Sequence, residues 1–224
     1  MAIIEPIHAL IIASEVTKGM KSIGSKSLLR IKNSVLVIEH QIQELKRQHK
    51  NIDITVATGF ESEKMLKILD EYNVKFLHNQ KYQTTNQTKS IIDYINTHIP
   101  NKLLVISSGI LFKSRFLTSG QDSCIFMLDK PKSDFTIGCN MKDDSVYLFY
   151  DLPQRWSECA MLNSPDLNVL KKIAKDKNLD QLYLFEIMNL LSDVGSKINK
   201  INISKQQIMK IANIKDLSKA RSFV

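Results

Sequence analysis

The stretch ALIIASEVTKGMKSIGSKSLLRIKNSVLVIEHQI, residues 9–42, decides the fold. Residues 9–13 are an unbroken apolar run, the pattern of a strand covered on both faces in a parallel sheet. Residues 14–25 are mostly polar or small and include Gly19 and Gly24, which reads as a long loop leaving the carboxyl end of that strand. In open α/β sheets that edge is where ligands bind. Residues 26–31 return toward the body and Asn33-Ser34 makes a turn. Val35, Ile38, Ile42 and Leu45 then recur at the three- and four-residue spacing of one helical face.

The rest of the chain reads as βα units added beside this first one. Residues 52–58 alternate and are β-branched, a second strand closed by Gly59; residues 62–72 form a helix with Met65, Leu66 and Leu69 inward; residues 74–77 form a short third strand. Such repeats predict an α/β fold, a doubly wound mixed sheet, mostly parallel, flanked by helices with right-handed crossovers. The polar segment 78–88 leads into a helix over 90–97 ended by Pro100. Residues 103–107 are a fourth apolar strand, central in this topology, and 110–116 continue outward. Residues 123–128, 136–139 and 146–150 read as three further strands, with Lys142-Asp143-Asp144 as a hairpin tip. Amphipathic helices follow over 167–177 and 182–194, then a late strand over 198–203 and a closing helix over 216–223. No linker, low-complexity segment or internal repeat interrupts the sequence, so one domain over residues 1–224 is expected.

At 224 residues and 43% hydrophobic the chain is long enough for a real core. The net charge of +8 suits an anionic ligand or surface, but the lysines are dispersed and no basic run is interleaved with aromatics, which argues against nucleic acid. Cys124, Cys139 and Cys159 are odd in number and widely spaced, the pattern of reduced thiols in a cytoplasmic protein. No apolar run approaches the roughly 20 residues that cross a bilayer. Zinc-spaced cysteine pairs, a GxSxG elbow and a GxxxxGK loop are all absent from the sequence, and His8, His78 and His98 are scattered.

The order ALIIA, long loop, KSLLRI, SVLVIEHQIQELK, ITVATGF, VKFLHNQKYQTTNQTKSI, LLVISSGILF and IANIKDLSKAR resembles the nucleotidyltransferase family with the Rossmann-like, GT-A-type fold. The resemblance covers nearly the whole chain. The section NQKYQTTNQTKSI is most similar to the phosphocholine and related sugar-phosphate cytidylyltransferases. Those enzymes join a nucleoside triphosphate to a sugar phosphate or to phosphocholine. Their chemistry brings two anions together while charge builds on the departing pyrophosphate, so it needs backbone N–H groups, basic side chains and a divalent cation.

The motifs that carry this chemistry are where the chain departs. The family's loop after the first strand, GxGTR, uses glycine so that the backbone approaches phosphate. The matching residues are Glu15, Val16, Thr17, Lys18 and Gly19, with an acid where phosphate would sit. The family's two metal-binding aspartates, in patterns like NGD and EID, correspond to Gly109 after Ser107-Ser108 and to Asn213 after Ile211-Ala212. Magnesium prefers carboxylate oxygens, so no metal is expected here, and Mg2+ only if the protein is active. Asp216, three residues on, reads as the cap of the last helix.

Other positions keep the family's residue. Lys26 matches the lysine that points at the phosphates and is the catalytic candidate if the protein is active; the alternative is a surface lysine. With Ala13, Ser14, Lys18, Lys21 and Ser108, the NxxYxxTNxxxS match (Asn79, Tyr82, Thr85, Asn86 and Ser90) implies the nucleotide side of a pocket. The alternative for the last group is a loop in which Thr85 or Thr88 begins the next helix. Glu39, His40 and Gln41 match through packing, with His40 a structural histidine. Trp156 and Glu158 fall where the family's second substrate packs, although a lone tryptophan also suits a core.

Two expectations follow. The first is a degenerate, non-catalytic nucleotidyltransferase-like protein kept as a nucleotide- or sugar-phosphate-binding module or as an assembly component; the basic charge and final helix allow self-association. The second is an active CTP-dependent nucleotidyltransferase whose phosphate site is rebuilt from Lys18, Lys21 and Lys26.

Overall fold

In a computed structural model, residues 7–15, 24–98, 100–113, 122–131, 134–176 and 178–224 are described. In chain order the elements are β1 (Ile7–Ile12), α1 (Val37–Gln48), β2 (Ile52–Thr58), α2 (Ser62–Leu69), β3 (Lys75–His78), α3 (Gln87–Thr97), β4 (Lys102–Ser107) and β5 (Ile110–Phe112). Then come β6 (Ser123–Leu128), β7 (Ile137–Lys142), β8 (Ser145–Tyr150), β9 (Trp156–Asn163), α4 (Ser164–Asp176), α5 (Leu184–Asp193), β10 (Ile198–Ile203), β11 (Ile208–Lys210) and α6 (Leu217–Phe223).

The main sheet has seven strands in the order β10-β6-β9-β4-β1-β2-β3. β1 pairs in parallel with β2 and with β4, placing β4 at the centre as the sequence reading expects. β2–β3 and β10–β6 are also parallel, whereas β9 runs antiparallel between β4 and β6, so the sheet is mixed. The apolar run of β1 is explained by burial on both faces. Leu10 and Ile12 pack with Ile91, Ile95 and Leu170 on one side, and Ala9 and Ile11 with Ile38, Ile42, Leu45 and Met65 on the other. A third, smaller cluster joins Leu29, Ile31, Val37, Leu111, Ile211 and Ala220.

Several local readings are revised. Strand β9 was not visible in the sequence, and β5 pairs antiparallel with the equally unread β11 in a small sheet of its own. Leu66 is 40% exposed, because the buried line of α2 runs through Met65 and Leu69 and Leu66 lies about 100° round the helix. Val35 precedes α1 and packs on the third cluster. Asp216 ends a short 3-10 turn, Ile214–Asp216, and its carboxylate reaches back to accept from the amides of Ala212 and Asn213 (both 3.0 Å) without capping α6. Residues 114–116 and 177, parts of an expected strand and helix, lie outside the described residues.

The expected hairpin tip is observed: Lys142 pairs with Ser145, and Asp143 and Asp144 both have positive φ (49° and 62°), as a two-residue type I′ turn requires. The three cysteines are free and buried. Among the described residues no helix is long and apolar enough to cross a membrane.

Candidate functional site

At the carboxyl ends of β1 and β4 a cavity of about 190 Å³ opens. Its polar lining includes Glu15, Lys26, Gln87, Ser107, Ser108, Glu158 and Lys210, and Tyr150, Trp156, Tyr183 and Phe185 form an aromatic wall. The fold places each of these. Glu15 lies three residues beyond the end of β1. Ser14, one residue earlier, turns its hydroxyl away toward Ser90 of α3 (3.1 Å). The loop returns through Ser25, whose amide donates to the Glu61 carboxylate (2.6 Å), and this anchor sets the start of the 3-10 turn Lys26–Leu28.

Gln41, buried on α1, donates to the carbonyls of Ser107 (3.0 Å) and Ile110 (2.8 Å), which clamps the Ser108-Gly109 turn between β4 and β5. His40 beside it hydrogen-bonds the Phe112 carbonyl (3.0 Å), so both act as packing residues. Gln87 at the start of α3 donates to the Ser107 hydroxyl (3.1 Å) and accepts from the Leu184 amide (3.0 Å), joining the site to α5.

On β9 the pairing with β6 shifts register between Ile125 and Met127, and Glu158 adopts a left-handed conformation, φ 60°. Such a bulge re-aims side chains. Glu158 forms an ion pair with Lys210 of β11. Trp156 is 1% exposed and donates to the Cys159 carbonyl (2.9 Å), so it belongs to the core and also backs the cavity.

The charged groups are mutually compensated. Burial holds the Glu15 carboxyl above its ordinary range, against the opposing influence of Lys26 and a hydrogen bond with Gln87. Burial pushes the Lys26 ammonium below its ordinary range and Lys210 adds to this, while Glu15, Glu158 and Asp216 oppose it. Two carboxylates and two ammonium groups therefore share one small volume.

Gly109 leaves no room for a side chain. A Cβ there would stand 2.9 Å from the Ile211 carbonyl oxygen and 3.5 Å from Cδ of Lys26, and the Gly109 carbonyl itself accepts from the Ile211 amide (2.8 Å). Asn213 has its side-chain oxygen engaged by the Lys215 amide (2.9 Å). Among the described residues no three His, Cys, Asp or Glu side chains converge at metal-binding distance.

Of the residues singled out in the sequence, Glu15, Lys26, Ser107, Ser108, Gly109, Trp156 and Glu158 come together at the cavity. Ala13 is buried at the end of β1, its amide bonded to the Ala57 carbonyl (2.9 Å). Asn79, Tyr82, Thr85 and Asn86 form a neighbouring loop. Asn79 donates to Thr85 (3.1 Å) and accepts from the Lys81 amide (2.9 Å), Tyr82 packs on Phe60, and Asn86 bonds to Asp180 and Gln181. Lys18 and Lys21 lie outside the described residues. Lys210, Gln87, Tyr150, Tyr183 and Phe185 escaped the sequence reading; only Gln87, inside the NxxYxxTNxxxS segment, carried a signal that pointed near the site.

No protein-family model and no curated protein sequence matches the chain. Solved structures do. The CTP:phosphocholine cytidylyltransferase of Streptococcus pneumoniae has a TM-score of 0.80 at 18% identity, covering 97% of this chain and 98% of that one. The chain has the nucleotidyltransferase fold. A putative glucose-1-phosphate thymidylyltransferase from Bacillus anthracis follows the nucleotidyltransferase fold here with a TM-score of 0.76 at 14% identity, covering 96% of this chain and 94% of that one. The inositol-1-phosphate CTP transferase of T. maritima gives 0.75 at 14% identity, covering 97% and 94%. The likeness at these identities establishes the fold, and the mixed, mostly parallel sheet flanked by helices agrees with the GT-A-type fold that the resemblance implied.

Proposed function

We propose that this chain is a non-catalytic protein of the nucleotidyltransferase fold that retains the pocket as a binding site for a small polar ligand of the acceptor class, a sugar phosphate or a phosphocholine-like molecule. The observation that carries the reading is Gly109. The sequence resemblance puts a metal-binding aspartate at this position, and the backbone of Ile211 fills the space where its side chain would begin. The second metal position, Asn213, offers a neutral oxygen already used within the chain. These residues do not fit a magnesium ion, which is held through carboxylates and retains much of its water.

The size of the pocket supports the same reading. About 190 Å³ is below the roughly 300–1,000 Å³ of pockets that enclose drug-sized ligands. A small acceptor fits that scale better than a nucleoside triphosphate. One observation favours the alternative, an active transferase with a lysine-based phosphate site: Lys26 and Lys210 line the same cavity.

The test is a thermal-shift and calorimetric titration with CTP, UTP, ATP and GTP, each with and without magnesium, and with glucose 1-phosphate and phosphocholine. The expected result is a shift with a small acceptor, none that grows with magnesium for any nucleotide, and no release of pyrophosphate. A magnesium-dependent nucleotide shift accompanied by pyrophosphate release would establish the alternative.

A further inference from the structure

We propose that Glu15 is a resident counter-ion seated in the anion subsite of the pocket, so that anions enter beside Lys26 only when the Glu15 carboxylate is neutralised. The inference rests on the reading of this cavity as a retained ligand site. It orders the acceptors at neutral pH: a zwitterionic molecule of the phosphocholine kind enters more readily than a sugar phosphate, which binds only with uptake of a proton.

The argument is one of charge and place. Glu15, three residues beyond the end of β1, lines the cavity at the edge of the sheet where ligands of open α/β folds bind. Lys26 arrives there from the returning loop, its stem passing over Gly109. Lys210 is engaged by Glu158, which leaves Lys26 as the cation that an incoming anion would meet first among the described residues. The groups facing Glu15 are Lys26 from the loop, Gln87 from α3, Glu158 from β9 and Lys210 from β11. Tyr150 and Tyr183 line the same cavity. With Glu15 ionised, an anion beside Lys26 meets a like charge on the wall of the same partly desolvated cavity, where such repulsion is strong. Protonating or removing that one carboxylate leaves two ammonium groups against one acid. The subsite then favours an anion.

The preference is also a proton linkage. Burial already biases Glu15 toward its neutral form. An anion that binds beside it draws a proton onto the carboxyl, and binding tightens as pH falls.

Sulfate is the probe, because its charge is constant across the range of interest. Calorimetric titration should find the E15Q variant binding sulfate at least about tenfold more tightly than the natural protein near pH 7.5, with the gain abolished in the double variant E15Q/K26M. In the natural protein sulfate binding should rise as pH falls from about 7.5 to about 5.5, while in E15Q it stays level. The acid titration of the unaltered chain reads the same effect without any substitution, which covers a variant that folds poorly. Equal binding by E15Q and the natural protein, or a gain that survives K26M, overturns the proposal. No nucleotide is present, so failure here leaves the non-catalytic reading standing, and pyrophosphate release in the earlier assay would fail that reading alone.

Discussion

Lys210 and Glu158 form an ion pair that ties β11 to the bulge of β9, with both side chains largely withdrawn from solvent (18% and 13% exposed). Its energetics lie between the 0–1 kcal/mol, roughly, of an exposed pair and the 3–5 kcal/mol, roughly, lost when one partner of a buried pair is removed. E158Q or K210M alone should therefore destabilise the protein by about 1–3 kcal/mol in denaturant unfolding. The double variant should lose less than the sum of the two single losses, because neither charge is left alone. Additive losses would show that the pair is not coupled.

Restoring an acid at position 109 should not restore a metal site. The Cβ of G109D would collide with the Ile211 carbonyl, so the variant should lose about 1–3 kcal/mol, as overpacked positions do. Its melting temperature should not respond to millimolar magnesium. A magnesium-dependent rise would mean that the β4–β5 turn can open to receive a carboxylate, and that crowding by Ile211 is not what keeps a metal from this position.

Gln41 is a positioning residue whose two hydrogen bonds hold the Ser107 and Ile110 carbonyls. Leucine fills similar volume but leaves both acceptors buried without their donor. Q41L should destabilise by about 1–3 kcal/mol with little change in the denaturant slope. It should also weaken ligand binding at the cavity, which a purely local packing defect would not do.

Acid should weaken the fold through its histidines. Burial lowers the affinity of His8 and of His40 for protons relative to the ordinary histidine value of 6.5. The unfolded chain therefore takes up those protons first as pH falls through that value, and stability declines from there downward. Unfolding measured at about pH 7.5 and about pH 5.5 should show this decline, and it should be smaller in H8N and H40N. The His8 ring bonds to the Tyr94 hydroxyl (2.8 Å), whose own ionisation burial pushes up to about 12, so Tyr94 stays neutral throughout.

Much of the architecture was legible because it rests on local pattern. The continuous run of β1 and the spacing of Ile38, Ile42 and Leu45 each record which faces are covered. β9 was not legible. Trp156-Ser157-Glu158-Cys159 mixes aromatic, polar and acidic residues, and its register shift breaks the two-residue period that betrays a strand. Leu66 misled because an apolar residue next to Met65 looks inward in one dimension.

The site divided along the same line. Lys26, Ser108 and Glu158 were found through ordered segments of a family pattern. Lys210 and Tyr183 were not, because a lysine and a tyrosine in ordinary surroundings carry no local mark of the cavity that the topology brings to them.

The insertion of β9 between β4 and β6 also orders the birth of the sheet. As the chain is synthesised, β1 to β4 can assemble in sequence, each strand meeting a neighbour already made. β6, buried along its whole length in the finished protein, emerges before either of its partners, β9 and β10, exists. Until residues 156–163 appear, an apolar strand with two open edges waits unpaired, the state most exposed to pairing with other chains. The segment that later frames the ligand cavity with Trp156 and Glu158 is thus also the one whose arrival ends that wait.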